Sequence, residues 1–73
     1  MSETTSKYYV YFIKILCVFK QNGYSIPDIA KVAGLNPSTV YRILYNKHSP
    51  NSTTIEKIEI ALSKALPDEV VNL

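Results

Sequence analysis

The sequence lacks several features that would direct it toward particular functions. It has one cysteine, Cys17, so no intrachain disulfide can form, and no set of Cys and His residues has the spacing of a zinc site. The apolar stretch from Tyr8 to Phe19 contains Lys14 and is shorter than the roughly 20 residues that span a bilayer. Nothing in it resembles a secretory signal peptide. We therefore expect a cytoplasmic protein with no metal, no cofactor, no membrane contact and no small-molecule ligand.

Groups that could carry out catalysis are scarce as well. Cys17 and His48 are the candidates for nucleophilic or metal chemistry, and neither has a second group with which to act. An enzyme is therefore not expected, and no catalytic residue is assigned. A length of 73 residues leaves room for one modest hydrophobic core. We predict a flexible N-terminal tail at residues 1–6 and a single domain at residues 7–73.

The chain also carries little net charge. Eight Lys and Arg against six Asp and Glu give +2, which is only a weak indication of a nucleic-acid partner. The distribution is more informative, because the stretch from Gly34 to Thr54 contains Arg42, Lys47 and His48 and no acid. A local basic surface is therefore expected despite the small total.

The segment from Ile26 to Tyr45 has the spacing of two short helices that cross at a sharp turn. Ala30 and Ala33 are small enough for close approach, and Gly34 can adopt the left-handed backbone that ends a helix. Four apolar residues are expected to point inward from the two helices: Ile29, Leu35, Val40 and Ile43.

Capping residues mark where each of these helices begins. Ser25 can cap a helix whose second residue is Pro27, with Asp28 near its positive end. Asn36 followed by proline repeats the arrangement. Because Asn46 tolerates the left-handed conformation, the second helix is predicted to span about Pro37 to Tyr45.

This pattern resembles the lambda-repressor and Cro type of phage and plasmid repressors. The residues that carry the resemblance run from Ser25 to Leu62 and include Asn46, Lys47, Pro50 and the helix TIEKIEIAL at residues 54–62. Residues 37–44, PSTVYRIL, are also similar to the reading helix of the lac-repressor family, in which serine, threonine and arginine at matching places face DNA. The resemblance implies an all-α fold, a small bundle of about five helices containing a helix-turn-helix, and a bacterial or phage-infected host.

The outward face of the second helix is then the expected DNA-reading surface. Arg42 is the strongest candidate for a base contact, since guanidinium can donate two hydrogen bonds to guanine, and Ser38, Thr39 and Tyr41 are secondary candidates. Phosphate contacts are predicted for a second set: Ser25, Asn36, Tyr45, Asn46, Lys47, His48 and Asn51.

These assignments have ordinary structural alternatives. Arg42 could form a surface ion pair with an acid such as Glu56. Tyr41 and Tyr45 could pack over the edge of the core. Lys47 and His48 could belong to a solvated loop.

The segment from Tyr8 to Phe19 has strong strand propensity, but its length and the family resemblance favour a helix. At helical spacing, one stripe is expected to close the core: Tyr8, Tyr11, Phe12, Ile15, Val18 and Phe19. A second stripe, Tyr9, Ile13, Leu16 and Cys17, is left as a candidate partner surface; a well-covered helix is the alternative.

A further helix is predicted from about Ser52 to Leu66, followed by a short last helix that begins at Pro67. Ile60 lies on the polar side of the longer helix, which makes it a candidate contact. The candidate dimer interface comprises Tyr9, Ile13, Leu16, Cys17, Ile60, Val70, Val71 and Leu73.

The function predicted from these features is sequence-specific binding of double-stranded DNA by a homodimeric repressor. One reading helix contacts few base pairs, so a palindromic operator with two half-sites is expected. Two alternatives remain: a protein-docking helical module of the antitoxin or antirepressor type, and an architectural DNA binder with little sequence preference.

Overall fold

Four α-helices and a short 3₁₀ helix make up the fold. The computed structural model describes residues 7–46 and 48–72, with side chains described as far as Val70. The α-helices are α1 (Lys7–Gln21), α2 (Ile26–Ala33), α3 (Pro37–Asn46) and α4 (Ser52–Ala65), and the 3₁₀ helix spans Pro67–Asn72. Those two ranges contain no strand, so the all-α prediction is confirmed. The predicted tail at residues 1–6, together with Lys47, Leu73 and the side chain of Val71, lies outside the described part.

The segment with strand propensity is helical, as the length of the run favoured. Phe12, Ile15, Leu16 and Phe19 recur at the spacing of one helix face, and all four are buried. The predicted core stripe was wrong in two places. Tyr8, near the start of α1, lies one helical turn before Phe12, the first buried residue of the helix, and is 53% exposed, whereas Leu16 is only 3% exposed. Leu16 therefore belongs to the core of its own chain and offers little surface to a second copy.

Glycine ends α1 through a backbone arrangement that the sequence pattern did not reveal. Gly23 has a φ of 91° and donates its N–H to the carbonyl of Lys20 at 3.0 Å, while Tyr24 donates to the carbonyl of Phe19 at 3.1 Å. The rings of Phe19 and Tyr24 meet edge to face with centroids 5.0 Å apart. These contacts fix the angle at which the chain leaves α1 and enters α2.

The core lies where α1, α2 and α4 meet, with α3 packed mainly against α2. Its largest fully buried side chains are Phe12, Phe19, Ile15, Ile29, Ile43, Ile58, Leu62 and Val40. The hydroxyl of Tyr11 donates a hydrogen bond of 2.7 Å to Glu59, which joins α1 to α4. This bond, with partial burial and the charge of Glu59, raises the pKa of Tyr11. The helices that support α3 are thus held by both apolar packing and a polar cross-link.

Candidate nucleic-acid interface

A left-handed glycine turns the chain between α2 and α3. Gly34 has φ 71° and ψ 31°, and its N–H donates to the carbonyl of Lys31 at 3.2 Å. Leu35 donates to the carbonyl of Ala30 at 2.8 Å, which completes the glycine-ended helix termination known as the Schellman motif. Ala30 and Ala33 are buried where the two helices cross. The predicted turn and its small-residue contact are both confirmed.

The start of α2 is fixed by a reciprocal cap. The Ser25 hydroxyl accepts the N–H of Asp28 at 3.3 Å, and the Asp28 carboxylate accepts the N–H of Ser25 at 3.2 Å. Bonds to the Ser25 hydroxyl and to the Ser25 backbone, in that order, lower the pKa of Asp28, and the charge of Lys31 adds to the effect. Ser25, a predicted phosphate contact, is exposed at the start of α2, and the negatively charged carboxylate of Asp28 lies beside it.

Asn36 organises the start of α3. Its Oδ1 accepts both the N–H of Ser38 at 2.9 Å and the hydroxyl of Ser38 at 2.8 Å. The donor of the Ser38 hydroxyl is therefore already used, which leaves that oxygen as an acceptor toward a base. The amide nitrogen of Asn36 remains a donor, so this residue can still meet a phosphate.

The outward face of α3 carries polar and aromatic groups on a helix one residue longer than predicted. Ser38, Tyr41, Arg42 and Tyr45 are exposed, whereas Thr39 is half-buried and offers less of its side chain than expected. In the part of the chain that the structure describes, Arg42 makes no ion pair, including with Glu56. The guanidinium therefore keeps its donors available to another molecule.

Two tyrosines on this face form a pair of their own. The rings of Tyr41 and Tyr45 stack with centroids 6.1 Å apart and planes 13° from parallel. Tyr45 is 79% exposed and Tyr41 is 36% exposed, so neither is buried in the core. The pair presents a flat aromatic surface at the C-terminal end of α3.

The remaining predicted phosphate contacts lie around the loop after α3. Asn51 caps α4, since its Oδ1 accepts the N–H of Thr54 at 2.8 Å, and only its amide nitrogen is left to donate. Asn46 and His48 are exposed, with His48 Nδ1 3.2 Å from the carbonyl oxygen of Ser49. Lys47 lies outside the described residues. The capping role of Asn51 was missed, although an asparagine directly before a helical pattern is its usual signal.

The predicted dimer residues that the structure describes lie on α1, α4 and the 3₁₀ helix and differ in exposure. Ile60 on α4 is 54% exposed and Val70 in the 3₁₀ helix is 38% exposed. Tyr9 and Ile13 on α1 are half-buried against the core, and Cys17 is exposed. The side chains of Val71 and Leu73 lie outside the described part of the chain.

A groove separates the C-terminal half of α1 from α3. Its volume is about 330 Å³, and its α1 wall consists of Ile13, Leu16, Cys17 and Lys20. Ile26 and the α3 residues Tyr41, Leu44 and Tyr45 line the rest. Sequence reasoning identified the apolar stripe on α1 but not Lys20, although continuing the stripe by one helical turn reaches it. The second stripe of α1 therefore lies beside the proposed DNA-reading helix.

The Cro/C1-type model of helix-turn-helix proteins matches residues 14–68, about three quarters of the chain. The chain belongs to the Cro/C1-type helix-turn-helix family. Family membership identifies it as a DNA-binding protein of the transcription-regulator type, and the matched range includes α2, α3 and α4. The family is typically non-enzymatic. Neither the curated proteins nor the solved structures provide a significant match to this helix-turn-helix chain.

Two further findings describe the surroundings of the helix-turn-helix. Within residues 7–46 and 48–72, no three His, Cys, Asp or Glu side chains come together in a group that could hold a metal ion. No helix in these ranges has the length and apolar character needed to cross a membrane.

Proposed function

We propose that this protein is a homodimeric repressor that reads a palindromic operator with α3 in the major groove. The observation that carries the proposal is the outward face of α3. It presents Ser38, Tyr41, Arg42 and Tyr45 on a helix fixed at its start by Asn36 and at its approach by Gly34. A rigid helix with exposed donors is suited to contact base edges, because little conformational entropy is lost on binding.

Arg42 is the residue we propose reads a base. Its guanidinium, which pairs with no acid among the described residues, can donate two parallel hydrogen bonds to the O6 and N7 atoms of guanine. Ser38 and Tyr41 lie on the same face and would contact neighbouring bases, with Thr39 contributing only its exposed part.

Phosphate contacts would hold α3 in register from both sides. The amide nitrogens of Asn36 and Asn51 remain available at the starts of α3 and α4, where backbone N–H groups also favour an anion. Asn46 ends α3, and Lys47 and His48 follow it in a stretch of sequence without acids. Ser25 and Tyr45 complete the proposed set. Such contacts add affinity without adding sequence specificity.

Dimerisation supplies a second reading helix, which can bind the second half-site of the operator. Two reading helices must lie about 34 Å apart along the duplex to enter successive major grooves on one side. We place the interface on the C-terminal surface, where Ile60 and Val70 are exposed on elements that pack against each other. Ile13 and Cys17 line the groove beside α3 instead. A second copy seated there would cover Tyr41 and Tyr45 and prevent α3 from reaching DNA.

Repression follows from occupancy of the operator, because a dimer bound across a promoter excludes RNA polymerase.

Salt dependence of binding separates this proposal from a protein-docking function. Binding to DNA through six to ten phosphate contacts should fall about 10³- to 10⁵-fold between 50 and 200 mM salt. The experiment is a fluorescence-anisotropy titration at several salt concentrations. It uses an operator duplex, selected for binding from a random DNA pool, and a scrambled duplex of equal length.

For a repressor, we expect DNA affinity to fall steeply with salt concentration and to be at least a thousandfold higher for the operator duplex. Equal affinity for both duplexes would instead indicate an architectural binder. Absence of binding at low salt would favour a protein-docking module.

A further inference from the structure

The groove between α1 and α3 is a product of how the helices pack. Because α3 rests mainly on α2, and α1 rests on α2 and α4, the ends of α1 and α3 are left separated. Leu16 and Ile26 are buried at this place, Ile13 and Leu44 are half-covered, and the exposed ring of Tyr45 stands at its edge. The groove thus has an apolar interior and an aromatic wall that is open to solvent.

The charge of the groove specifies what could bind there. Among the described residues that line it, Lys20 is the one that carries a charge, and it has no acidic partner in that part of the chain. A volume of about 330 Å³ is at the small end of the range for ligand pockets, roughly 300 to 1,000 Å³. The complementary molecule is small, has an apolar or aromatic body, and carries one carboxylate to pair with Lys20.

We propose that this groove binds a small aromatic or aliphatic carboxylate and that its occupancy weakens binding to DNA. The regulatory half of this proposal rests on the proposed function. Tyr41 and Tyr45 both line the groove and belong to the outward face of α3. A ligand in contact with their rings holds them toward α1, and its carboxylate adds negative charge beside the phosphate backbone. Because the coupling is reciprocal, DNA weakens binding of the carboxylate by the same factor.

Binding of a carboxylate to the groove is tested on the free protein, without DNA. The probes are indole-3-acetate and octanoate, with indole-3-acetamide as the uncharged counterpart. Cys17 is the only cysteine and lies in the groove, so its alkylation by iodoacetamide reports occupancy. We expect saturable protection of Cys17 by the carboxylates, and backbone NMR shifts confined to the C-terminal half of α1 and to α3.

Two lysine variants test the charge. Lys20→Met should bind the carboxylates about two- to fivefold more weakly and the amide unchanged, which is the range for an exposed charge pair. Lys14→Met, an exposed lysine of α1 outside the groove, should behave like the parent. Equal losses in both variants would overturn the assignment of Lys20.

Three results would contradict the proposal that the groove binds a carboxylate. These are no protection of Cys17 at millimolar probe, NMR shifts centred elsewhere, and protection that depends on protein concentration alone. The last result would show that a second copy covers the groove.

Regulation is tested separately by titrating the operator duplex with and without indole-3-acetate. We expect weaker DNA binding by the parent in its presence and a smaller effect on Lys20→Met. Unchanged DNA affinity with a filled groove would overturn the regulatory half. A protein that binds the probe but no DNA would instead overturn the proposed function and leave the ligand site standing.

Discussion

Gly34 provides the sharpest test of the turn that presents α3. Its φ of 71° is a conformation that costs a side-chain-bearing residue about 1 to 2 kcal/mol. Apart from the adjoining backbone, a Cβ added at this position would meet no atom within 4 Å, so crowding by the rest of the molecule adds nothing to that cost. We expect Gly34→Ala to lower the free energy of unfolding by about 1 kcal/mol, which shifts the melting temperature of a domain this size by about 4 to 8 °C.

A substitution series separates backbone conformation from other effects. Gly34→Asn should cost less than Gly34→Ala, because asparagine visits the left-handed region more readily, and Gly34→Val should cost most. Gly23→Ala is the matched comparison, since Gly23 has a φ of 91° and equally open surroundings. Urea unfolding followed by circular dichroism gives each free energy. A Gly34→Ala protein as stable as the parent, or Ala and Val variants of equal stability, would show that the left-handed backbone does not set the cost at this position.

Three further predictions concern recognition, assembly and pH. Arg42→Ala should lose about 1 to 3 kcal/mol of discrimination between bases at one position per half-site while folding normally, and Arg42→Lys should lose part of that discrimination. Affinities for a set of single-base operator variants measure this loss. An unchanged set of affinities would exclude base reading by Arg42. Ile60→Glu should be monomeric in sedimentation and bind half-sites independently, whereas a surviving dimer would place the interface elsewhere. Asp28 has a lowered pKa, so its stabilisation is complete above the unfolded pKa of about 4 and is lost as pH falls through the folded value. Asp28→Ala should therefore lose less stability than the parent as the pH falls below about 4 in acid titrations of unfolding; parallel curves would contradict the capping role.

Local features of the sequence predicted the helix-turn-helix well. The cap at Ser25, the proline after Asn36 and the glycine at position 34 each act on the backbone within a few residues. Their effects can therefore be inferred without knowing the rest of the fold. The same holds for α4, which the sequence predicts as a helix and whose apolar residues Ile55, Ile58 and Leu62 recur at helical spacing and are buried.

Features that depend on tertiary packing could not be predicted in the same way. An apolar run such as α1 has no unique inward face in the sequence, so Leu16 was assigned to a partner surface although its own core covers it. The groove beside α3 exists only because of the relative placement of α1 and α3, and Lys20 gains its significance from that placement. Single hydrogen-bond donors, such as the Ser38 hydroxyl that Asn36 occupies, are also decided by the folded geometry.

Whether α3 reads the duplex is tested most directly by selecting bound duplexes from a random DNA pool, in parallel with two proteins. One is the parent and the other carries Ser38→Ala, Tyr41→Ala and Arg42→Ala, three exposed changes that leave the core intact. If α3 reads the duplex, the parent enriches a palindromic motif with half-sites about one helical turn apart, and the variant enriches none. Enrichment of the same motif by both proteins would show that α3 does not read the duplex.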